Sequence, residues 1–379
     1  MASDEDLEAT SDLPVLDLED DDLGVRTEDR YAAIPPGPRL VRRREHRDRD
    51  RGPAVVLLVA LAVLFAVAAW LDGISSDDSD GAGGDDMASR ELEASTGATL
   101  LAVGGDGASV TDVDEGTVGA LVPLDEPVLD ALLAQETLVV RSSADTITAF
   151  ALTGSSRRDL PRAQDLVRSA DPARVWLVQR DGDSSHATEI VVADGTVTEE
   201  IDAAGRVLGA TLGGLVVADP AGTLHLVSPA SSTLIGADLA FLASTGNTIA
   251  TRTRPCTAVE CELIVERLDL GAEQRFDVDI GSGNREAALF SPDARRLAVV
   301  RTDGIESFGV IVDVEAGTVA RFRSRAQARE ANRPLAWSSD GQWLFIATER
   351  NGLDAVDLDG VVARVDVELP ETEALLLTG

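Results

Sequence analysis

Few residues in this sequence have a type and spacing that could do chemistry. Arg321, Arg323, Arg325, Arg329 and Arg333 fall within thirteen residues of a chain that is otherwise strongly acidic. The first three alternate, so a strand would set Arg321, Arg323 and Arg325 on one face. Guanidinium groups grip carboxylates and phosphates in bidentate fashion. The run therefore reads either as a patch for an anionic ligand, an envelope polymer or an acidic partner, or as an outermost strand guarded by charge against edge pairing. The two cysteines, Cys256 and Cys261, stand close together with no histidine at ligand spacing. They are too sparse for a structural zinc site, and a local disulfide, which needs an oxidising compartment, is the better reading.

Metal chemistry has little else to draw on. The three histidines, His46, His186 and His225, have no second His or Cys at ligand spacing and read as ordinary loop or strand residues. The acid-rich stretch from Asp77 to Asp86 suggests calcium at first sight. Set against an EF-hand loop with Gly81 at its glycine position, however, it puts Ser76 and Met87 where the first and last carboxylates belong. It reads as a solvated linker, and neither a metal nor a cofactor is expected.

The elements that must carry these residues are marked by composition. The chain has 379 residues, 67 Asp and Glu against 33 basic residues that are all arginine, and a formal charge of −34. Such a surface repels phosphate backbones, so nucleic acid is not an expected partner. Residues 1–38 hold twelve acids and no sustained apolar periodicity, and are read as a disordered tail. Seven arginines between Arg39 and Arg51 precede an uncharged run of 20 residues, Gly52 to Leu71. At about 1.5 Å per residue this run spans about 30 Å as a helix, enough to cross a bilayer core. Only acids follow it closely, which sets the N-terminus inside. Cleavage after Ala66-Val67-Ala68 as a signal peptide is the rival reading, but the preceding tail and the apolar run are both long for one. The expected order is a cytoplasmic tail with its arginine-rich segment (1–51), a transmembrane helix (52–71), a Gly/Ser/Asp-rich linker (72–95) and an extracytoplasmic domain (96–379).

Beyond residue 96 short apolar runs pair off across polar turns, and the pairing repeats. The first runs are Thr99 to Val103, Thr137 to Arg141, Arg174 to Val178, Gly214 to Ala218, Thr248 to Arg252, Arg296 to Val300 and Trp343 to Ala347. Taking Leu100, Leu138, Trp176, Leu215, Ile249, Leu297 and Leu344 as equivalent gives spacings of 34 to 48 residues. Units of that size suit four-stranded blades, which cannot bury their own faces and must stack into a ring. An all-β propeller results, with seven blades fitting best and six or eight also compatible. With 3% aromatics, its core must rest on Val, Leu, Ile and Ala, and Trp176, Trp337 and Trp343 are expected in packing roles.

Two segments carry a likeness to a known family. Phe290-Ser-Pro-Asp-Ala-Arg-Arg-Leu297 and Trp337-Ser-Ser-Asp-Gly-Gln-Trp-Leu344 register at a spacing of 47, and Leu242 to Ile249 is a degraded third copy. They resemble the repeat of WD40-like propellers of the TolB type, over about two repeats in the C-terminal third. The resemblance implies the fold more than a function, and suggests a binding or scaffolding platform. Enzymes built on propellers would need groups that are missing. There is no Gly-x-Ser-x-Gly elbow for a serine hydrolase, the one tyrosine is Tyr31 in the tail, and Ser338 to Gly341 lacks a residue of the Asp-box. The expected role is a membrane-anchored binding module for a protein or envelope ligand. The alternatives are a single-pass sensor relaying ligand state to a cytoplasmic partner through the acidic tail, and a carboxylate-dependent hydrolase. The terminal run Ala374 to Thr378 is expected to complete the first blade and so close the ring.

Overall fold

The computed structural model describes residues 90–379 apart from 92–94, 106, 120–121, 154–155, 255–260, 279–284, 304–305, 325–327, 329–332 and 379. The expected tail, membrane helix and most of the linker lie outside the described residues. Among the described residues no helix is long and apolar enough to cross a membrane.

The described chain folds as seven antiparallel blades around one axis. We letter the strands of each blade a to d from the axis outwards. In blade 2 these are Val128–Ala134, Thr137–Ser142, Ile147–Ala151 and Arg157–Leu160. The a strands of blades 3 to 7 are Asp165–Arg168, Arg206–Thr211, Leu239–Thr245, Arg285–Phe290 and Leu335–Trp337, and each is followed in sequence by its own strands b, c and d. Blade 1 is assembled from both ends of the domain. Its strands b and c are Thr99–Gly104 and Gly107–Asp112, while its strand a is the C-terminal run Ala374–Leu377, which pairs antiparallel with Leu100 to Val103. The expected closure of the ring is observed. Within the stretch read as linker, Arg90–Glu91 adds a short parallel strand to the outer edge of blade 7 at Val362–Val365.

Why the b strands are apolar throughout, rather than alternating, follows from their place in the stack. Both faces of a blade are covered by neighbours, so odd and even residues feed different cores. In Thr99–Gly104, Leu100 and Ala102 pack with Phe345 and Leu353 of blade 7, while Leu101 and Val103 pack with Leu138 and Val140 of blade 2. In blade 6, Leu297 and Val299 face blade 5, and Ala298 and Val300 face blade 7. Burying a side chain of this size stabilises by about 1.5–3 kcal/mol, so each seam is a substantial source of stability. Six apolar clusters fill six of the seven seams among the described residues. At the seam between blades 4 and 5 the Phe241 ring lies over Gly209, where a Cβ would overlap it. The d strands read polar because they are outer edges: Arg157 to Asp159, Val197 and Thr198, and Ser231 to Leu234 are exposed.

The repeated Ser-x-Asp of the two matching segments is a turn clasp between strands a and b. The Ser291 hydroxyl donates to Asp293 Oδ1 (2.6 Å) and accepts from the Arg296 amide (2.9 Å), and Asp293 Oδ1 also accepts from the Arg295 amide (3.1 Å). Blade 7 repeats the pattern. Ser338 donates to Asp340 Oδ1 at 2.6 Å and accepts from the Trp343 amide at 2.9 Å, and the Gln342 amide donates to Asp340 at 3.0 Å. The Ser338 hydrogen bond holds the Asp340 carboxyl below the usual carboxylate range. For Asp293 partial burial pushes upward, but the Ser291 hydrogen bond and the Arg295 amide outweigh it and the net shift is also downward. The third copy lacks both residues. It turns directly from Thr245 to Thr248 through Gly246, whose φ is 51°.

Candidate functional site

The a strands of six blades converge on a central channel whose cavity measures ≈ 500 Å³. Strand a is the innermost element of each blade. Its residues near the axis therefore meet side chains from blades that are far apart in sequence, and a site can form there without any local motif.

The charged residues lining this cavity are Arg168, Glu286 and Arg333. Arg333 precedes strand a of blade 7 and is tied to blade 1 through the backbone. Its amide donates to the Glu373 carbonyl (3.2 Å), and its carbonyl accepts from the Leu375 amide (2.8 Å). From there its guanidinium reaches Asp130 on strand a of blade 2 (Nε to Oδ1, 2.9 Å) and the Leu166 carbonyl on strand a of blade 3 (3.1 Å). One residue thus links four blades, and Asp130, at 7% exposure, has its charge matched inside the protein. Glu286, on strand a of blade 6, is held between Arg252 of blade 5 (2.8 Å) and the buried Arg301 of its own blade (3.3 Å).

Arg168 ends strand a of blade 3, two residues beyond the Leu166 carbonyl that Arg333 holds. Its side chain is exposed and lines the cavity, as one projecting into an open lumen does. The surrounding protein, and after it the charge of Arg333, lowers its pKa to about 10. It is still a cation at neutral pH.

The arginine run singled out by sequence is divided in three dimensions. Arg321 and Arg323 lie exposed on strand d of blade 6, Thr318–Ser324, with Phe322 between them pointing into the core. Arg323 is engaged from two sides, by Glu306 (Nε to Oε2, 2.9 Å) and by stacking 5.2 Å from the Phe308 ring centroid. Arg325 and Arg329 lie outside the described residues, and Arg333 belongs to the channel. Cys261 is buried at 2% exposure in the seam between blades 5 and 6, and its expected partner Cys256 lies outside the described residues. His186 contacts Asp202 (2.7 Å) and His225 contacts Asp219 (3.4 Å), both on the blade surface. No group of three metal-ligating side chains comes together among the described residues. Trp176 and Trp337 are core residues, at 3% and 2% exposure, and the Trp337 indole donates to the Leu289 carbonyl of blade 6 (3.1 Å). Trp343 is partly buried against the seam between blades 7 and 1.

Sequence reasoning missed Asp130, Arg168 and Glu286. Each is one charge inside an otherwise apolar short run, and the signal that could have found them is that an inner strand has no solvent face on which such a charge would be routine.

No protein-family model matches the chain, and no curated protein matches it. Solved structures similar to it include a functionally unknown protein from Desulfotomaculum acetoxidans DSM 771, at 13% identity over 74% of this chain and 99% of that one, with a TM-score of 0.48. TolB from Acinetobacter baumannii is similar at 14% identity over 75% of this chain and 67% of its own, with a TM-score of 0.47. The Cps50 (Swd1) β-propeller domain of Myceliophteria thermophila is similar at 13% identity over 66% and 89%, with a TM-score of 0.48. At such identities the likeness is one of fold alone.

Proposed function

We propose that this chain is a non-catalytic binding module, a propeller held outside the cytoplasm by a helix at 52–71, which presents its channel to a protein or ligand of the cell envelope. The observation that carries the reading is the central cavity, walled by a strands from six blades and of a size that suits a small ligand or an inserted side chain (roughly 300–1,000 Å³). A ring closed by its own C-terminal strand is a rigid frame, and a rigid frame lowers the ordering cost of binding. The anchor rests on the 20 uncharged residues after the arginine-rich segment and on the acids that follow.

Two measurements test the two halves of the reading. Protease added to intact cells should remove the region beyond residue 90 and spare the tail, and Cys256 and Cys261 should resist alkylation until a reductant is added. Protection of the domain from external protease would refute the topology. For the binding half, the melting temperature of the full chain in detergent should rise with a subset of envelope-derived small molecules or peptides. A channel blocked by replacing Ala288 with Trp should lose that rise, and retention of every response in that variant would place binding elsewhere.

A further inference from the structure

Among the described residues the channel's charges do not balance. Asp130 is matched by Arg333, and Glu286 by Arg252 and Arg301. The acid on Arg168's own strand, Asp165, pairs with Arg180. Among the described residues the Arg168 side chain makes no hydrogen bond or ion pair, and the charge that acts on it is the like charge of Arg333. This occurs in a chain where acids outnumber arginines 67 to 33, so carboxylates to pair with are plentiful elsewhere on the molecule. An exposed guanidinium at the cavity wall that faces a second cation and, among the described residues, no acid is open to pairing with an anion.

We propose that Arg168 anchors an anion site in the channel, and that the ligand is a small organic anion whose carboxylate or phosphate pairs with this guanidinium while its apolar part lies against Leu133, Leu242, Leu289 and Leu377. This rests on the reading of the channel as the binding site. The four leucines line the cavity and keep partial exposure, which gives the lumen an apolar wall beside a positive charge that is unmatched among the described residues. Planar guanidinium geometry suits either oxyanion. Neutral ligands of the same shape would leave Arg168 without a counter-charge, so charge selectivity is the signature of the site.

The test uses the full chain in detergent and calorimetric titration with pentanoate, butyl phosphate and, as the uncharged control, 1-pentanol. At least one anion should bind, and R168Q should weaken it about tenfold or more, the loss expected of one charge-assisted pair. R168K should keep part of the affinity, and R323Q, on the outer edge of blade 6, should keep all of it. Without ligand, R168Q should melt close to the wild-type temperature, since among the described residues the exposed guanidinium makes no ion pair to lose. Anion binding unchanged in R168Q, or a markedly lower melting temperature for that variant, would overturn the site. Binding of pentanol as tightly as the anions, insensitive to R168Q, would overturn the anion assignment and leave the channel reading standing. No binding of any probe would overturn both.

Discussion

The C-terminal strand offers the sharpest test of how the ring is held. Leu375 and Leu376 are neighbours in sequence, at 1% and 4% exposure, and their side chains leave strand a of blade 1 on opposite faces. Leu375 enters the core shared by blades 7 and 1, and Leu376 the core shared by blades 1 and 2. Truncating a buried leucine to alanine costs about 2–5 kcal/mol, depending on how far the site collapses. With Leu375→Ala and Leu376→Ala each near 3 kcal/mol, and at roughly 2–4 °C per kcal/mol for large domains, each should lower the melting temperature by about 6–12 °C. Because the two side chains belong to different seams, the double variant should sum the losses to about 6 kcal/mol. That is comparable with the whole stability of many domains, about 5–15 kcal/mol. Urea unfolding followed by tryptophan fluorescence measures this, with Leu234→Ala as the control, since Leu234 is 62% exposed on an outer strand. A cost below about 1 kcal/mol for both single variants, or unchanged stability on deleting residues 373–379, would refute closure by this strand as a source of stability.

The turn clasps predict a pair of opposite effects. Ala294 holds a left-handed φ of 59° in the position that Gly341, at 66°, occupies one blade later, so Ala294→Gly should stabilise and Gly341→Ala destabilise, each by about 1 kcal/mol in thermal melts. Gly309 on strand c of blade 6 lies beneath the ring of its cross-strand partner Phe322, and a Cβ there would overlap that ring. Gly309→Ala should therefore cost about 1–3 kcal/mol, whereas Gly246→Ser, in the open turn of blade 5, should cost only the backbone strain of its positive φ. Acid should loosen the entry to blade 1. Partial burial pushes the Asp114 carboxyl upward, but hydrogen bonds from Ser95 (2.6 Å), Thr96 (2.7 and 2.8 Å) and the Gly97 amide (2.8 Å) bring it down to about 2. Its folded value lies below the unfolded value of about 3.9, so its contribution is complete above about pH 4 and is lost as the pH falls towards 2. The melting-temperature gap between wild type and Asp114→Asn should be constant above about pH 5 and shrink between 4 and 2; a gap undiminished at pH 2 would refute the clasp.

The b strands were legible from sequence in every blade because both of their faces are largely buried, so their apolar runs are nearly continuous and do not depend on knowing the partner. Thr99 to Val103 and Arg296 to Val300 fall inside strands Thr99–Gly104 and Arg296–Asp303. The Ser-x-Asp turns could also be read, since Ser291 with Asp293 and Ser338 with Asp340 close hydrogen bonds over two to five residues. The inner strands of blades 2 to 4 were harder to see. Asp165–Arg168 has four residues and Arg206–Thr211 an irregular register, and both carry charge where a core strand would be apolar.

Composition and local spacing thus determined the repeat, the blade's strand b and the turn between strands a and b, because each depends on residues close together in the chain. The channel depended on the closed ring. Arg333 was visible only as the end of an arginine run, and its partner Asp130 lies 203 residues away. Closing seven blades brought those two charges together from blades 7 and 2, on either side of blade 1, turned Arg321 and Arg323 to the outer edge, and left Arg168 lining the lumen with no acid partner among the described residues. Charge pairing across a ring is set by which blade follows which around the axis, and no local pattern of residues encodes that distance.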